Sequence, residues 1–144
     1  MFVNTLPVIC DVDSSLTVSD YIKNVAGTFI DTLAHGDYPY SRITEKYGYA
    51  ASIMYAYQVG VIDSYSCGAG TLEIQNLELQ KAKFPVSVFI EGGRGKGETI
   101  SLEYDRSLFS EDMMQGFVSS IQNVVSSLLT SDKVSDIALC DGQM

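Results

Sequence analysis

The 144-residue sequence predicts an α/β two-layer sandwich, in which amphipathic helices pack against a mixed, largely antiparallel sheet. Long amphipathic stripes occur near the start and near the end of the chain, and strand-like segments lie between them. No linker, repeat or low-complexity stretch interrupts this order. We therefore expect a single domain over residues 1–144.

The chain opens on Phe2-Val3-Asn4-Thr5-Leu6-Pro7, which we interpret as the start of a buried strand with almost no lead-in. Apolar residues surround Asn4 and Thr5, a pattern typical of a strand with a crowded face and a few groups kept for hydrogen bonds. We expect the neighbours of this strand to come from later in the chain or to be missing.

The first helix is predicted to begin after Thr17 and to end at Gly36. Thr17 and Asp20 form a variant capping box, because the hydroxyl can accept an unpaired backbone amide and the carboxylate favours the positive end of the helix dipole. Apolar residues recur with helical spacing, and we expect this stripe to face the core. Its members are Tyr21, Ile22, Val25, Ala26, Phe29, Ile30 and Leu33.

Two further helices are predicted. A short one covers residues 40–46 and is stopped by Gly48. The last begins after the N-cap Ser110, with Glu111 and Asp112 in its first turn. Its apolar stripe, which we also expect to belong to the core, comprises Met113, Met114, Phe117, Val118, Ile121, Val124, Val125, Leu128 and Leu129.

The segments between the helices have the composition and alternation of strands. Residues 52–59 are rich in apolar and aromatic groups and predict a buried strand. Residues 71–79 alternate with one slip, which predicts a half-exposed strand with a bulge. Residues 84–90 and 99–104 predict an antiparallel hairpin.

Charge and composition exclude several classes of partner. The net charge of −9, from 18 acidic and 9 basic residues, argues against nucleic acid. The glycine-rich loop 92–97 has Gly97 where a phosphate loop needs Ser or Thr, and a strand follows it, so we interpret it as a hairpin loop. No apolar run approaches the ~20 residues that span a bilayer, and no secretory signal is visible. We expect no membrane partner and a cytoplasmic location.

The cysteines give no support to a metal site. Cys10, Cys67 and Cys140 lie far apart without a Cys-x-x-Cys pair, and His35 is the only histidine. An odd number of cysteines does not suggest a disulfide framework, so we expect reduced thiols that pack as small residues. We expect the chain to bind no cofactor directly.

His35 is the one candidate for a catalytic histidine base. Asp37 could orient its imidazole and a Ser or Cys could approach in space, but the nucleophile-elbow pattern Gly-x-Ser-x-Gly is absent. The alternative, which we favour, is a helix cap in which the charged imidazole meets the negative end of the dipole. The acidic residues are scattered, so a pair of catalytic carboxylates cannot be told from a solvated surface.

Four strings follow one another along the chain: Phe2-Val3-Asn4-Thr5-Leu6-Pro7, His35-Gly36-Asp37-Tyr38-Pro39-Tyr40, Lys83-Phe84-Pro85-Val86-Ser87-Val88 and Leu102-Glu103-Tyr104-Asp105-Arg106-Ser107-Leu108-Phe109-Ser110. In this order they resemble the C-terminal part of a condensation domain from a nonribosomal peptide synthetase. The second string matches the family's His-Gln-Asp-Tyr-Pro-Phe motif, with Gly36 in place of Gln and Tyr40 in place of Phe. The resemblance covers nearly the whole chain.

Some family motifs do not match. An Arg usually follows the first motif, where this chain has Val8-Ile9-Cys10, and residues 45–52 differ from the family's Arg-Asp-x-Ser-Arg-Asn-Pro-Leu. The His-His-x-x-x-Asp-Gly motif, whose second histidine is assigned to the reacting amine, is absent. In the family this motif lies in the N-terminal half of the domain, so the resemblance implies that the present chain is inactive without that half.

The resemblance implies a chloramphenicol-acetyltransferase-like half-domain, the C-terminal subdomain of a two-lobed domain that forms amide bonds between aminoacyl or peptidyl thioesters. The implied partners are the N-terminal lobe and the carrier proteins, whose phosphopantetheine arms meet in a tunnel between the lobes. This chain would supply one tunnel wall and a crossover segment within residues 64–78. The motif-matching tunnel or structural positions are Phe2, Asn4, Thr5, His35, Asp37, Tyr38 and Pro39.

Several alternatives stay open at this point. Asn4 and Thr5 fit a tunnel wall and a hydrogen bond within the fold equally well. The chain could also be a free-standing binding or interaction module of the same fold, or a compact acyltransferase with His35 as base. A lobe separated from its partner would leave an apolar face and a strand edge open, so we expect a dimer or higher oligomer at high concentration.

Overall fold

In a computed structural model of the chain, the residues described are 4–48, 50–59, 64–73, 82–92 and 97–139. The chain divides into two compact units. The first consists of Met1–Ala50 with Gly116–Met144, and the second is Ala51–Gln115. Within the described part of the chain, no helix has the length and apolar character needed to cross a membrane.

The first unit begins its regular structure with helix α1, Val18–Ala34. The Thr17 Oγ1 accepts a hydrogen bond from the backbone N–H of Asp20 at 3.1 Å and donates one to the Asp20 carboxylate at 2.9 Å. The predicted capping box is therefore confirmed, although the carboxylate meets the Thr17 hydroxyl rather than the Thr17 backbone amide. The helix ends at its C-cap His35, next to the predicted Gly36.

Helix α2, Tyr40–Tyr47, follows a short turn and is confirmed as predicted. Its C-cap Gly48 has φ 62°, a left-handed conformation that favours glycine because there is no Cβ to clash. The Gly48 N–H donates to the Thr44 carbonyl at 2.9 Å and satisfies one of the orphan carbonyls at the helix end.

Helix α3, Glu111–Leu128, is confirmed with Ser110 as its cap, since the Met113 N–H donates to the Ser110 Oγ at 3.3 Å. Beyond α3 the chain returns to the start of α1 through a short 3-10 helix, Val134–Asp136, which was not predicted. The Val18 N–H donates to the Asp132 carbonyl and the Val134 N–H donates to the Leu16 carbonyl. Both valines are buried, so the start of α1 and the segment after α3 form the core of this unit.

The prediction of a buried strand at the N-terminus is wrong for its described part, because residues 4–13 form neither helix nor strand. Ile9 is 82% exposed and Val8 is 44% exposed. An apolar run becomes a strand only when another strand supplies hydrogen-bond partners, and Pro7 has no N–H to donate.

The apolar stripe of α1 does not form the expected core face in this structure. Phe29, Ile30 and Leu33 are all at least half exposed. The pattern correctly predicted the helix because periodicity is a local property, whereas burial depends on what packs against that face.

The described residues of the second unit form five strands: β1, Ile53–Val59; β2, Ser64–Cys67; β3, Gly70–Glu73; β4, Val86–Gly92; and β5, Glu98–Tyr104. Strands β1, β4 and β5 form a mixed sheet in the order β1-β4-β5, with β1 parallel and β5 antiparallel to β4. The predicted hairpin of residues 84–90 and 99–104 is confirmed by the β4–β5 pairing.

Residues paired across neighbouring strands project to the same side of a sheet. On one side of this sheet, three successive rows of paired residues are all apolar or aromatic. The central residues Val86 and Val88 are 5% and 6% exposed. Strand β1 was predicted to be buried, but it is the edge of the sheet, and this part of the prediction is wrong. The residues of this face, called the apolar sheet face below, are Ile53, Tyr55, Tyr57, Val86, Val88, Ile90, Ile100, Leu102 and Tyr104.

Strands β2 and β3 form a separate antiparallel hairpin. Gly68 has φ 60° at the first of its two turn residues, a position where tight hairpins favour glycine. Strand β2 was not predicted, since residues 64–67 have the small polar composition of a turn. The predicted strand over 71–79 is confirmed only at its start, as 74–79 and the proposed bulge lie outside the described residues.

Candidate functional site

The Asn4 side chain connects the first two motifs found in the sequence. Its Nδ2 donates hydrogen bonds to the carbonyl oxygens of Gly36 and Tyr38, each at 2.8 Å. Its Oδ1 accepts from the N–H of Thr5 at 3.0 Å and from the N–H of Tyr40 at 3.4 Å. A segment that has no regular structure is thus joined to the turn between α1 and α2.

The turn itself is built from the end of one helix and the start of the next. Backbone N–H groups of Gly36 and Tyr38 donate to the carbonyls of Leu33 and His35, respectively. Pro39 is the N-cap of α2, where its fixed φ suits the entry to a helix and its missing N–H leaves no further donor to satisfy.

Side chains of this turn are presented at the surface of the first unit. His35, Asp37, Tyr38 and Pro39 are exposed, and Thr5 is half-buried. Phe2 lies outside the described residues. The structure therefore brings Asn4 together with the backbone of the second motif, while the side chains of that motif remain accessible to a partner or substrate.

The geometry does not support the triad considered for His35. Among the described residues, neither a hydrogen bond nor an ion pair joins His35 to Asp37. His35 stands at the C-cap position of α1, and the charged imidazole of the cap alternative stays a prediction. An imidazole that acts as general base needs a group that fixes its orientation, and Asp37 does not take that role here.

The described cysteines are free thiols in different environments. Cys10 is half-buried, but Cys67 is exposed in β2, so the expectation of a packing residue is wrong for Cys67. Cys140 lies outside the described residues. Across the ranges that the structure describes, no group of three or more His, Cys, Asp or Glu side chains is arranged to hold a metal ion.

A second polar contact lies at the end of the apolar sheet face and was not predicted. The Tyr57 hydroxyl donates to the Glu98 carboxylate at 2.9 Å, across the intervening strand β4. Gly92 leaves room for the Glu98 side chain on this path, because a Cβ at position 92 would lie only 3.1 Å from Glu98 Cγ. The hydrogen bond is the main cause that raises the pKa of Tyr57, with desolvation and the charge of Glu98 adding to it.

We expect Glu98→Gln to lower the pKa of Tyr57, because a neutral amide stabilises the protonated phenol less than a carboxylate does. The raised pKa means that this bond stabilises the folded state below pH ~10 and that the contribution is lost as pH rises through the folded-state pKa. Tyrosine titration followed by NMR would measure the change, with Tyr57→Phe to assign the signal. Glu103→Gln, on the opposite face of β5, is the matched control; equal Tyr57 pKa values in wild type and Glu98→Gln would refute the assignment.

Comparison with known proteins decides the family. A family model described as the condensation domain matches residues 1–141. The chain belongs to the condensation-domain family. The resemblance drawn from the four motifs is therefore confirmed.

One curated protein and one solved structure are similar to the chain. The chain is 24% identical over 144 residues to tyrocidine synthase 3 of Brevibacillus parabrevis, a match covering 93% of this chain and 2% of that protein. Its structure matches the crystal structure of the starter condensation domain of rhizomide synthetase RzmA with a TM-score of 0.73 at 13% identity, over 96% of this chain and 36% of that one. The predicted chloramphenicol-acetyltransferase-like α/β fold is confirmed.

Proposed function

We propose that this chain is the C-terminal subdomain of a condensation domain and supplies one wall of its substrate tunnel. The observation that carries the proposal is the Asn4 contact, which joins two family motifs and presents the second at an exposed turn. The chain spans 36% of a condensation-domain chain of the same fold, which fits a role as part of a larger catalyst. Our expectation of a cytoplasmic location remains part of this proposal.

The proposed parent reaction joins two substrates tethered to carrier proteins by phosphopantetheine arms. The amine of one aminoacyl group attacks the thioester carbonyl of the other, a C–N bond forms, the C–S bond breaks, and the amine proton passes to the departing thiolate. Such a reaction depends on alignment of the two ends and on control of one proton. The wall contributes alignment, with Asp37 and Tyr38 as exposed polar side chains of the turn.

Two surfaces of the chain are suited to contact the remainder of such a domain. The apolar stripe of α1 is half exposed at Phe29, Ile30 and Leu33. A lone two-stranded hairpin is marginal in water, and every residue of β3 is exposed. The β2–β3 hairpin falls within the expected crossover segment, and we propose that it contacts the N-terminal lobe. The same exposed groups support our expectation that the isolated chain self-associates.

The test is to express the whole reading frame that contains these residues, together with carriers loaded with donor and acceptor thioesters. We expect a dipeptidyl thioester on the acceptor carrier, detected by intact-protein mass spectrometry, and its loss when residues 1–144 are deleted. A reading frame with a stop codon upstream and no His-His-x-x-x-Asp-Gly motif would contradict the proposal and favour a free-standing interaction module.

A further inference from the structure

The hydrogen-bonding capacity of Asn4 is fully used within the fold. Both hydrogens of its side-chain amide are donated, to Gly36 and Tyr38, and its oxygen accepts from Thr5 and Tyr40. This arrangement also fixes the orientation of the amide, because the reverse orientation would place its oxygen against two carbonyl oxygens. No donor of Asn4 remains for a substrate.

The contact is long-range, whereas the backbone hydrogen bonds of the turn join residues only three positions apart. Asn4 reaches residues that are 32 and 34 positions away in the sequence. The side chains of His35, Asp37 and Tyr38 are exposed and cannot hold the turn by packing. The carbonyls of Gly36 and Tyr38 converge on one point, and without a donor between them their partial charges would repel each other.

The surroundings of Gly36 also show the N-terminal segment beside the turn. A Cβ at this position would lie 3.0 Å from the Leu33 carbonyl oxygen and 3.9 Å from Leu6 Cδ1. The N-terminal segment therefore lies close beside the turn at Leu6 as well as at Asn4. The two segments form one unit, in which Asn4 provides the polar contacts and Leu6 lies at van der Waals distance from the turn. The tight constraint on a side chain at Gly36 comes from the Leu33 carbonyl at the end of α1.

We infer that Asn4 is a positioning residue, whose side-chain amide holds the His35–Tyr40 turn and thereby sets where Asp37 and Tyr38 stand in the site. For Asn4, these contacts favour the hydrogen bond within the fold over the tunnel-wall alternative. The expected effect of Asn4 on amide-bond formation rests on the proposed function. Its effect on the conformation of the turn does not.

Hydrogen exchange of the full 144-residue chain, followed by NMR, tests the hold on the turn. Asn4→Ala should raise exchange of the Tyr38 and Tyr40 amides about tenfold and leave the Val25 amide in the middle of α1 unchanged. Asn24→Ala is the matched control, because this exposed asparagine on α1 makes no side-chain hydrogen bond among the described residues. It should leave the exchange rates of the Tyr38 and Tyr40 amides unchanged.

Asn4→Asp separates the donor half of the amide from the acceptor half, because it keeps Oδ1 and replaces the NH2 group by a carboxylate oxygen. At neutral pH the Tyr38 amide of Asn4→Asp should exchange at least as fast as the Tyr38 amide of Asn4→Ala. Below pH ~4 the carboxyl takes up a proton and can donate one hydrogen bond, so the protection factor of the Tyr38 amide should partly recover. Should Asn4→Ala fail to fold, this pH profile decides the question. Protection equal to wild type at neutral pH would overturn the inference.

The consequence for catalysis is tested in the parent synthetase. Asn4→Asp should lower kcat for amide-bond formation at least tenfold and leave KM for the carrier-bound substrates within about twofold, since only alignment is lost. An unchanged kcat, with the turn loosened, would overturn the positioning role and leave the proposed function intact. A wild-type synthetase that forms no amide bond would refute the proposed function, while the exchange result would still stand.

Discussion

The 144-residue chain by itself should form no amide bond between two carrier-bound thioesters. Its only histidine is His35, so the sequence cannot contain the His-His-x-x-x-Asp-Gly motif to which the family's reacting histidine belongs. A positioned general base is worth ~10²–10⁴ in rate, and alignment of two tethered substrates is worth more. Under the proposed function, both contributions need the N-terminal lobe, so we expect the chain alone to give no catalysed rate.

The measurement is intact-protein mass spectrometry of loaded donor and acceptor carriers over several hours, with the carriers without this chain as the control. The product should not exceed that background. Turnover above background would contradict the prediction, and His35→Ala would then decide the cause. Loss of that turnover in His35→Ala would favour the compact acyltransferase, although His35 and Asp37 are not joined in the described structure.

Helix boundaries could be predicted from the sequence because they are set by local chemistry. Thr17 and Ser110 accept backbone amides at helix starts, and Gly48 adopts the left-handed conformation that ends α2. Each of these effects needs only residues within one turn of the helix end. The hairpin of β4 and β5 could be predicted for a similar reason, since its strands are neighbours in sequence.

Sheet order and burial could not be predicted in the same way. The parallel pairing of β1 with β4 joins segments separated by the β2–β3 hairpin, and nothing in residues 52–59 distinguishes an edge strand from a central one. The apolar N-terminal run predicted a strand, but its described part, residues 4–9, pairs with no described strand. A strand is a property of a pair, so composition within one segment does not determine it.

The sequence predicted which residues belong to the candidate site, but it did not predict the contacts between them. The order of the motifs identified the family, and Asn4 was selected as a polar group between apolar neighbours. Its partners 32 and 34 residues away follow only from the fold. Tyr57 and Glu98, 41 residues apart, carried no signal except that Tyr57 lies on the alternating aromatic row of β1.

Val88→Asp should cause a large loss of stability in the second unit. Val88 is 6% exposed in the central strand, between Tyr55 on one side and Leu102 on the other. An unpaired buried carboxylate costs about 3–5 kcal/mol, a large part of the 5–15 kcal/mol that holds a typical domain together. Val88→Ala, which removes two methyl groups and adds no charge, should cost about 2 kcal/mol.

Urea unfolding followed by circular dichroism measures both losses. Thr99→Asp, at an exposed position near the start of β5, provides the matched control, with an expected change within about 0.5 kcal/mol. Burial raises the pKa of the carboxyl introduced by Val88→Asp, so its penalty should be greatest at neutral pH and should shrink as pH falls through that raised pKa. This dependence separates the effect of a charge at a buried position from the effect of a change in side-chain shape. Equal unfolding midpoints for Val88→Asp and Thr99→Asp would mean that water reaches the centre of this face.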